Sequence, residues 1–305
     1  MRGVQFEELL ALDTPELQQL HPLYGVIFLF KYPRAGAPAA AHADRDRPAD
    51  GAYDYAAADR LFFAAQVIQN ACATQALLAL LLNHDATAPP PSGGTSDAAP
   101  SPIDVGAMLA GFKDFTQAFP AELRGEALSN SDAIRAAHNS FARSSPFISE
   151  ETRASGADDD DDGVYHFIAY TCAGGTLYEL DGLQPAPISH GPCAGLAALP
   201  DVLPDVLRRR IARHGEGEIR FALLALTRDK REVCREVGDE EGLRREEERR
   251  RAWAWENALR GANMVGFVGE VLKMVVRDKV EQGVYEEWIE AARKETARKR
   301  QTRGG

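Results

Sequence analysis

The feature that most constrains the fold is the apolar stretch at residues 61–83, which reads LFFAAQVIQNACATQALLALLLN. From residue 71 onward it is apolar on every side of a helical projection, which is typical of a helix buried on all faces. Asn70 is a good helix N-cap, so we predict that this helix begins directly after it. Cys72 would then lie in the first turn, where free amide groups and the helix dipole lower the pKa of a thiol. The alternative is that Cys72 is a small buried residue that fills space.

A second constraint comes from VYHFIAYTCAGGTLYELDGL, in which two alternating runs flank a Gly-Gly pair and predict an antiparallel hairpin. A two-residue turn at Ala173-Gly174 would place His166 directly opposite Asp181 on one face of the sheet. A carboxylate beside an imidazole orients the ring and makes it more basic. Strand histidines are often structural, but with a thiol at a helix start this pair favours catalysis.

Gln66 lies six residues before Cys72, outside the predicted helix. Its side-chain amide and the backbone N–H of Cys72 could both point at an oxygen bound beside the thiol. Such an oxyanion hole is worth roughly 3 kcal/mol per donor. The alternative is that the amide satisfies polar groups of its own loop.

Composition excludes several other classes of function. The net charge of −11 argues against general nucleic-acid binding. The four cysteines have neither CxxC nor zinc-ligand spacing, which argues against a zinc site built from them. The chain opens without the apolar core of a signal peptide, and no stretch approaches the length of a membrane span. These patterns indicate an intracellular protein with free thiols.

Several segments together resemble the ubiquitin carboxyl-terminal hydrolases, a family of thiol peptidases. The segments are FFAAQVIQNACATQALLALLLN, VYHFIAY, LYELDGL, LSNSDAIRAAHNSFAR and EGEIRFALLAL. The similarity is greatest to the proteasome-associated subgroup, whose helical C-terminal extension resembles WAWENALRGANMVGFVGEVLKMV. The resemblance implies an α+β, papain-like fold: a central antiparallel sheet wrapped by helices, with the cysteine helix in the middle and a helical C-terminal extension.

The resemblance also implies a mechanism. Cys72 would be the nucleophile, His166 the general base and then acid, Asp181 the residue that orients His166, and Gln66 an oxyanion donor. The chain would be a deubiquitinating enzyme that cleaves ester, amide or isopeptide bonds at the C-terminus of ubiquitin through a thioester. No cofactor or metal is needed.

The domain organisation follows from the same resemblance. Residues 1–228 would form the catalytic domain, 229–251 a charged linker or helix, and 252–305 a docking extension with a basic tail. The extension would bind the adaptor domain of a proteasomal ubiquitin receptor, in the cytoplasm and nucleus; its apolar rows could instead pack against the catalytic domain. Two further alternatives are a binding module without turnover and a chromatin-associated deubiquitinase.

Three segments depart from a simple match. Residues 142–163 correspond to a loop that crosses the family's active site, and we predict that it limits leaving-group size. Its five consecutive aspartates could attract the arginine-rich tail of ubiquitin or could simply be solvated. The Pro-rich stretch at 84–102 has the look of an insertion, and the family's opening segment, part of the ubiquitin-binding face, is expected to be missing before residue 1.

Overall fold

A computed structural model describes residues 2–20, 22–31, 48–68, 70–85, 103–140, 165–214, 221–262 and 264–303. These residues belong to two compact units, and the boundary between them falls after Ala252. The predicted loop at 142–163 lies outside the described residues, as do residues 86–102 of the predicted insertion.

The first unit is built on an antiparallel sheet. In the described residues its strands are β1 (Val4–Leu9), β2 (Leu23–Lys31), β3 (Ala52–Tyr53), β4 (Tyr165–Ala173), β5 (Thr176–Leu180), β6 (Ile188–Pro192) and β7 (Phe221–Arg228). Their order across the sheet is β1-β7-β2-β4-β5-β6-β3. The predicted strand at 24–32 is therefore β2, which lies between β7 and β4.

Helices cover both faces of this sheet. They are α1 (Thr14–Gln18), α2 (Tyr55–Arg60), α3 (Cys72–Asn83), α4 (Ala107–Thr116), α5 (Ala121–Asn130), α6 (Asp132–Ser140), α7 (Leu199–Ile211), α8 (Lys230–Val237) and the first part of α9 (Glu240–Gly261). Strand alternation explains the two-sided arrangement, because successive side chains point to opposite faces. Ile27 and Ala169 share a core with α3, whereas Phe28, Ile168 and Tyr170 share one with α7. The α+β architecture implied by the resemblance is confirmed.

The buried helix α3 packs very closely on the sheet. At Gly25 an added Cβ would lie 2.5 Å from the carbonyl oxygen of Tyr170 and 2.6 Å from Cδ2 of Leu80. The absence of a side chain at this position lets β2 accept the helix, and it sets the distance between the thiol-bearing helix and the strands.

The prediction that Asn70 caps α3 is wrong. The helix begins at Cys72, as expected, but Ala71 occupies the N-cap position and no side-chain cap hydrogen bond is made. Ala71 already has helical dihedral angles, and its N–H donates to the carbonyl of Ile68 at 3.3 Å. The chain therefore enters the helix from a turn, without a side-chain cap.

The predicted hairpin is present, but the predicted register is wrong. Ala173 pairs with Thr176, so the turn consists of Gly174 and Gly175 instead of Ala173 and Gly174. Both glycines have positive φ angles, of 55° and 82°, which a two-residue hairpin turn demands and which alanine resists. His166 is therefore not directly opposite Asp181. Moving the turn by one residue shifts the pairing by two, so both side chains still point to the same face.

The charged segment after β7 is helical, which was one of the two alternatives. It forms α8 and the start of α9. Arg249 donates to Glu7 at 2.7 Å, and Arg250 lies 3.0 Å from Asp229, so the middle of α9 is tied to β1 and to the residue that follows β7. The second unit comprises the rest of α9, α10 (Val265–Glu281) and α11 (Tyr285–Arg303).

Candidate active site

A buried imidazole–carboxylate pair lies where β4 begins and β5 ends. His166 Nε2 is 2.7 Å from Asp181 Oδ1, and the two residues are 3% and 2% exposed. Asp181 is held in turn, because Oδ1 accepts the N–H of Leu183 at 3.0 Å and Oδ2 accepts Nε2 of Gln184 at 3.4 Å. Burial raises the pKa of the Asp181 carboxyl, but hydrogen bonds from His166 and Leu183 outweigh it and hold the pKa below its usual value. The carboxylate is therefore a fixed anion behind the ring.

The thiol of Cys72, at the start of α3, lies next to this pair. Its Sγ lies 4.0 Å from the carbonyl oxygen of Tyr165, which is 93 positions further along the chain. Burial raises the pKa of the thiol, but a hydrogen bond with His166 and the amides of Phe167 and Ala73 outweigh burial and lower it. The ring nitrogen that serves the thiol is Nδ1, because Nε2 faces the carboxylate.

The imidazole is correspondingly more basic. Burial lowers the pKa of His166, but hydrogen bonds with Asp181 and with Cys72 raise it to about 9. A lowered thiol pKa beside a raised imidazole pKa favours transfer of the thiol proton to the ring. The structure thus brings a thiol, a basic imidazole and a carboxylate together in Cys72, His166 and Asp181.

Gln66 lies beside the thiol. It lines, with Cys72, Phe167 and Gly182, a cavity of about 10 Å³, which is room for one water-sized group. The backbone N–H of Gln66 donates to the carbonyl of Gly182 at 2.7 Å, so the position of this residue is fixed by the end of the hairpin. The geometry is suited to an amide donor next to the sulfur, and the role of Gln66 as that donor remains a prediction.

Sequence reasoning missed two amides on α3 that hold the segment leading to Gln66. Gln75 Nε2 donates to the carbonyls of Ala64 and Ala65, at 3.4 and 3.0 Å. Asn83 accepts the N–H of Phe62 at 2.8 Å and donates to its carbonyl at 3.1 Å. The signal was available, because an amide on a helix buried all round must find hydrogen-bond partners.

Two further features of the described residues concern metal sites and membrane spans. No group of three or more His, Cys, Asp or Glu side chains there could hold a metal ion. No helix within the described part of the chain is long and apolar enough to cross a membrane.

The pKa values of Cys72 and His166 depend on each other, and this leads to a prediction about pH. We expect iodoacetamide to alkylate Cys72 faster at pH 7 than it alkylates an ordinary thiol, because the pKa of Cys72 is lowered. We expect turnover to fall as pH rises through about 9, where His166 loses its proton. The raised pKa also means that the charged ring stabilises the fold fully below its ordinary value of 6.5, and that this contribution disappears through about 9.

The measurement is the alkylation rate of the Cys72 peptide by mass spectrometry, from about pH 5 to pH 10. Cys234 in the same sample serves as an internal control thiol. If the Cys72 rate follows the same curve as the Cys234 rate, the ion pair does not form.

A thiol of lowered pKa, a basic imidazole and an orienting carboxylate together form the arrangement of a cysteine-type hydrolase. Residues 1–212 match the model of ubiquitin carboxyl-terminal hydrolase, family 1, and residues 240–280 match a second model, of ubiquitin carboxyl-terminal hydrolases. The chain belongs to the ubiquitin carboxyl-terminal hydrolase family and is a cysteine deubiquitinase.

Individual relatives agree along nearly the whole chain. Ubiquitin carboxyl-terminal hydrolase 2 of Schizosaccharomyces pombe is 44% identical over 299 residues, which cover 96% of this chain and 90% of the relative. Ubiquitin carboxyl-terminal hydrolase ubh-4 of Caenorhabditis elegans is 29% identical, over 96% of this chain and 87% of the relative. The crystal structure of Trichinella spiralis UCH37 bound to ubiquitin vinyl methyl ester has a TM-score of 0.56 and 30% identity, over 85% of this chain and 90% of that one.

Proposed function

We propose that this chain cleaves ester, amide and isopeptide bonds at the C-terminus of ubiquitin, with Cys72 as the nucleophile. The observation that carries the proposal is that His166 contacts both other residues: it hydrogen-bonds with Cys72, and its Nε2 lies 2.7 Å from Oδ1 of Asp181. The thiolate attacks the carbonyl carbon at the end of ubiquitin and gives a tetrahedral oxyanion. The carbon–nitrogen or carbon–oxygen bond then breaks, and a thioester is left on Cys72.

His166 acts as general acid and general base in the two halves of the reaction. The basic ring takes the thiol proton as the thiolate attacks, and it then gives that proton to the departing amine or alkoxide. In the second half the neutral ring takes a proton from water, the hydroxide attacks the thioester, and the carbon–sulfur bond breaks to release the Cys72 thiolate while the ring keeps the proton. Asp181 keeps Nε2 engaged throughout, so that Nδ1 faces the sulfur.

Gln66 is the proposed side-chain donor to the oxyanion, and the backbone N–H of Cys72 is its partner. The small volume of the cavity between them supports this assignment, because a confined site excludes water and strengthens each donor. Each of the two hydrogen bonds would lower the barrier by roughly 3 kcal/mol.

The direct test uses the full chain and ubiquitin carrying a fluorogenic amide at its C-terminus. Release of the fluorophore, saturable in substrate and blocked by prior alkylation of Cys72, is the expected result. Ubiquitin that binds without release would instead favour the non-catalytic binding module.

We further infer that residues 252–305 dock on the adaptor domain of a proteasomal ubiquitin receptor. The helix α10 supports this, because it leaves a row of large apolar side chains in solvent. The exposed fractions are 64% for Phe267, 49% for Val268, 55% for Leu272 and 60% for Met274. An apolar face of this kind usually marks a protein-binding surface. Docking there would place the chain in the cytoplasm and nucleus, where proteasomes act.

This docking makes a prediction for α10. Phe267→Ala and Leu272→Ala should each weaken binding to the receptor's adaptor domain about 10- to 100-fold, since buried apolar anchors dominate interfaces. Calorimetry with the purified domain measures the effect. Lys273→Ala, on the same helix and 64% exposed, is the matched control and should bind normally.

Affinity purification of the full chain separates the cellular alternatives. Recovery of proteasome subunits, lost with Phe267→Ala, supports the proposed docking. Recovery of chromatin proteins in their place would favour the chromatin-associated alternative.

A further inference from the structure

One buried cation has no part in the mechanism above. Arg124, on α5, is 3% exposed, although an isolated charge is costly to bury. Burial lowers the pKa of its guanidinium, and the charge of Asp59 partly opposes that effect. Its hydrogen bonds go to five backbone carbonyls. Nε donates to Thr116 at 3.1 Å, Nη1 to Ala58 at 2.8 Å, Leu61 at 2.8 Å and Phe63 at 3.3 Å, and Nη2 to Gln117 at 2.8 Å.

These carbonyls lie at the ends of two helices and just beyond them. Three come from the end of α2 and the extended stretch that follows it, and two come from the end of α4. A guanidinium can satisfy such a set because its donors form a rigid planar fork. Arg124 therefore fixes the path of residues 58–63 against α5.

The same face of α5 continues along the chain toward Gln66. The N–H of Ala65 donates to the carbonyl of Ala121 at 2.9 Å. Gly125, the neighbour of Arg124, comes so close that an added Cβ would lie 2.0 Å from the carbonyl oxygen of Ala65. The stretch from Leu61 to Gln66 thus lies along one face of α5, and Arg124 is part of that face.

We propose that Arg124 is a positioning residue for the segment that stabilises the oxyanion. By holding three carbonyls of residues 58–63, it aligns the Gln66 amide with the charge that develops beside Cys72 during attack. The inference rests on the oxyanion role of Gln66 in the proposed function. Arg124 itself touches neither substrate nor sulfur.

The test is a double-mutant cycle in the full chain with Arg124→Lys, Gln66→Ala and both together. A lysine offers fewer donors and no fork, so it cannot serve five carbonyls. We expect Arg124→Lys to lower kcat on the fluorogenic ubiquitin amide at least about tenfold, a sizeable part of the effect of one oxyanion donor. The KM should stay nearly unchanged, and the double variant should be no slower than Gln66→Ala alone.

A second readout separates positioning from general damage. Alkylation of Cys72 by iodoacetamide needs the thiolate but no oxyanion hole, so Arg124→Lys should leave its rate unchanged. Arg135→Lys, a substitution of an exposed arginine on α6, is the matched control and should keep the normal kcat.

The outcomes are distinct. If wild-type chain shows no turnover, the proposed hydrolase function fails. If turnover is normal but the effects of the two substitutions multiply, or if Arg124→Lys slows alkylation as much as catalysis, Arg124 does not act through Gln66 and the inference is overturned. Should Arg124→Lys unfold at the assay temperature, the cycle is run with Arg124→Gln at a lower temperature at which thermal unfolding shows every variant folded, under the same criteria.

Discussion

The Cys72→Ala variant is expected to form no covalent adduct with ubiquitin vinyl methyl ester and to release no fluorophore from a ubiquitin amide. The reason lies in the electrostatics of the thiols. Cys72 has a lowered pKa, owing to its contacts with His166 and two amides that outweigh its burial, whereas burial raises the pKa of Cys172 to about 12. A protonated, buried thiol is a poor nucleophile at neutral pH. Intact-mass spectrometry after incubation with the probe measures the adduct directly.

Cys234→Ala is the matched control, since Cys234 is partly exposed and should contribute nothing to labelling. An adduct that persists in Cys72→Ala at the wild-type rate would move the nucleophile to another residue. Ubiquitin should still bind the Cys72→Ala chain, because the substitution removes one sulfur atom and leaves α3 in place.

Replacing His166 with alanine is expected to lower kcat by about 10³- to 10⁴-fold, since both the general acid and the partner of the thiolate are lost. Without the imidazolium, burial is left as the main influence on Cys72 and its pKa should rise. Alkylation by iodoacetamide at pH 7 should therefore slow in the same variant. Steady-state kinetics and the alkylation assay measure the two effects independently.

Asp181→Asn is a milder substitution to compare with His166→Ala, because it keeps the imidazole and removes only the charge beside it. The amide can still hold the ring through one hydrogen bond but no longer supplies a charge, so the pKa of His166 should fall from about 9 and kcat should drop less than in His166→Ala. Thermal unfolding shows whether each variant is folded. Equal turnover of Asp181→Asn and wild type would exclude a role for this carboxylate in catalysis.

Much of the site could be predicted because its signals are local. The apolar run after residue 71 predicts the buried helix that bears Cys72, and alternation around Gly-Gly places His166 and Asp181 on one face. The family resemblance supplied the catalytic roles, which neither pattern contains.

The errors and omissions have a common physical cause, which is dependence on the rest of the fold. The turn moved to Gly174-Gly175 because two consecutive positive φ angles were needed there, and entry to α3 was set by the turn at Ile68 and not by Asn70. Arg124 could not be assigned from sequence, because its partner Ala58 is 66 positions away and offers a backbone carbonyl that leaves no mark in the amino-acid pattern.

The thiol sits on α3 and the imidazole on β4, and Gly25 sets how closely helix and sheet approach. A chain in which that packing has loosened holds a thiol of ordinary reactivity, so chemical competence requires the fully packed molecule. Heat inactivation should therefore precede or accompany the loss of secondary structure, and the fraction of molecules captured by an electrophilic probe counts the native ones in any preparation.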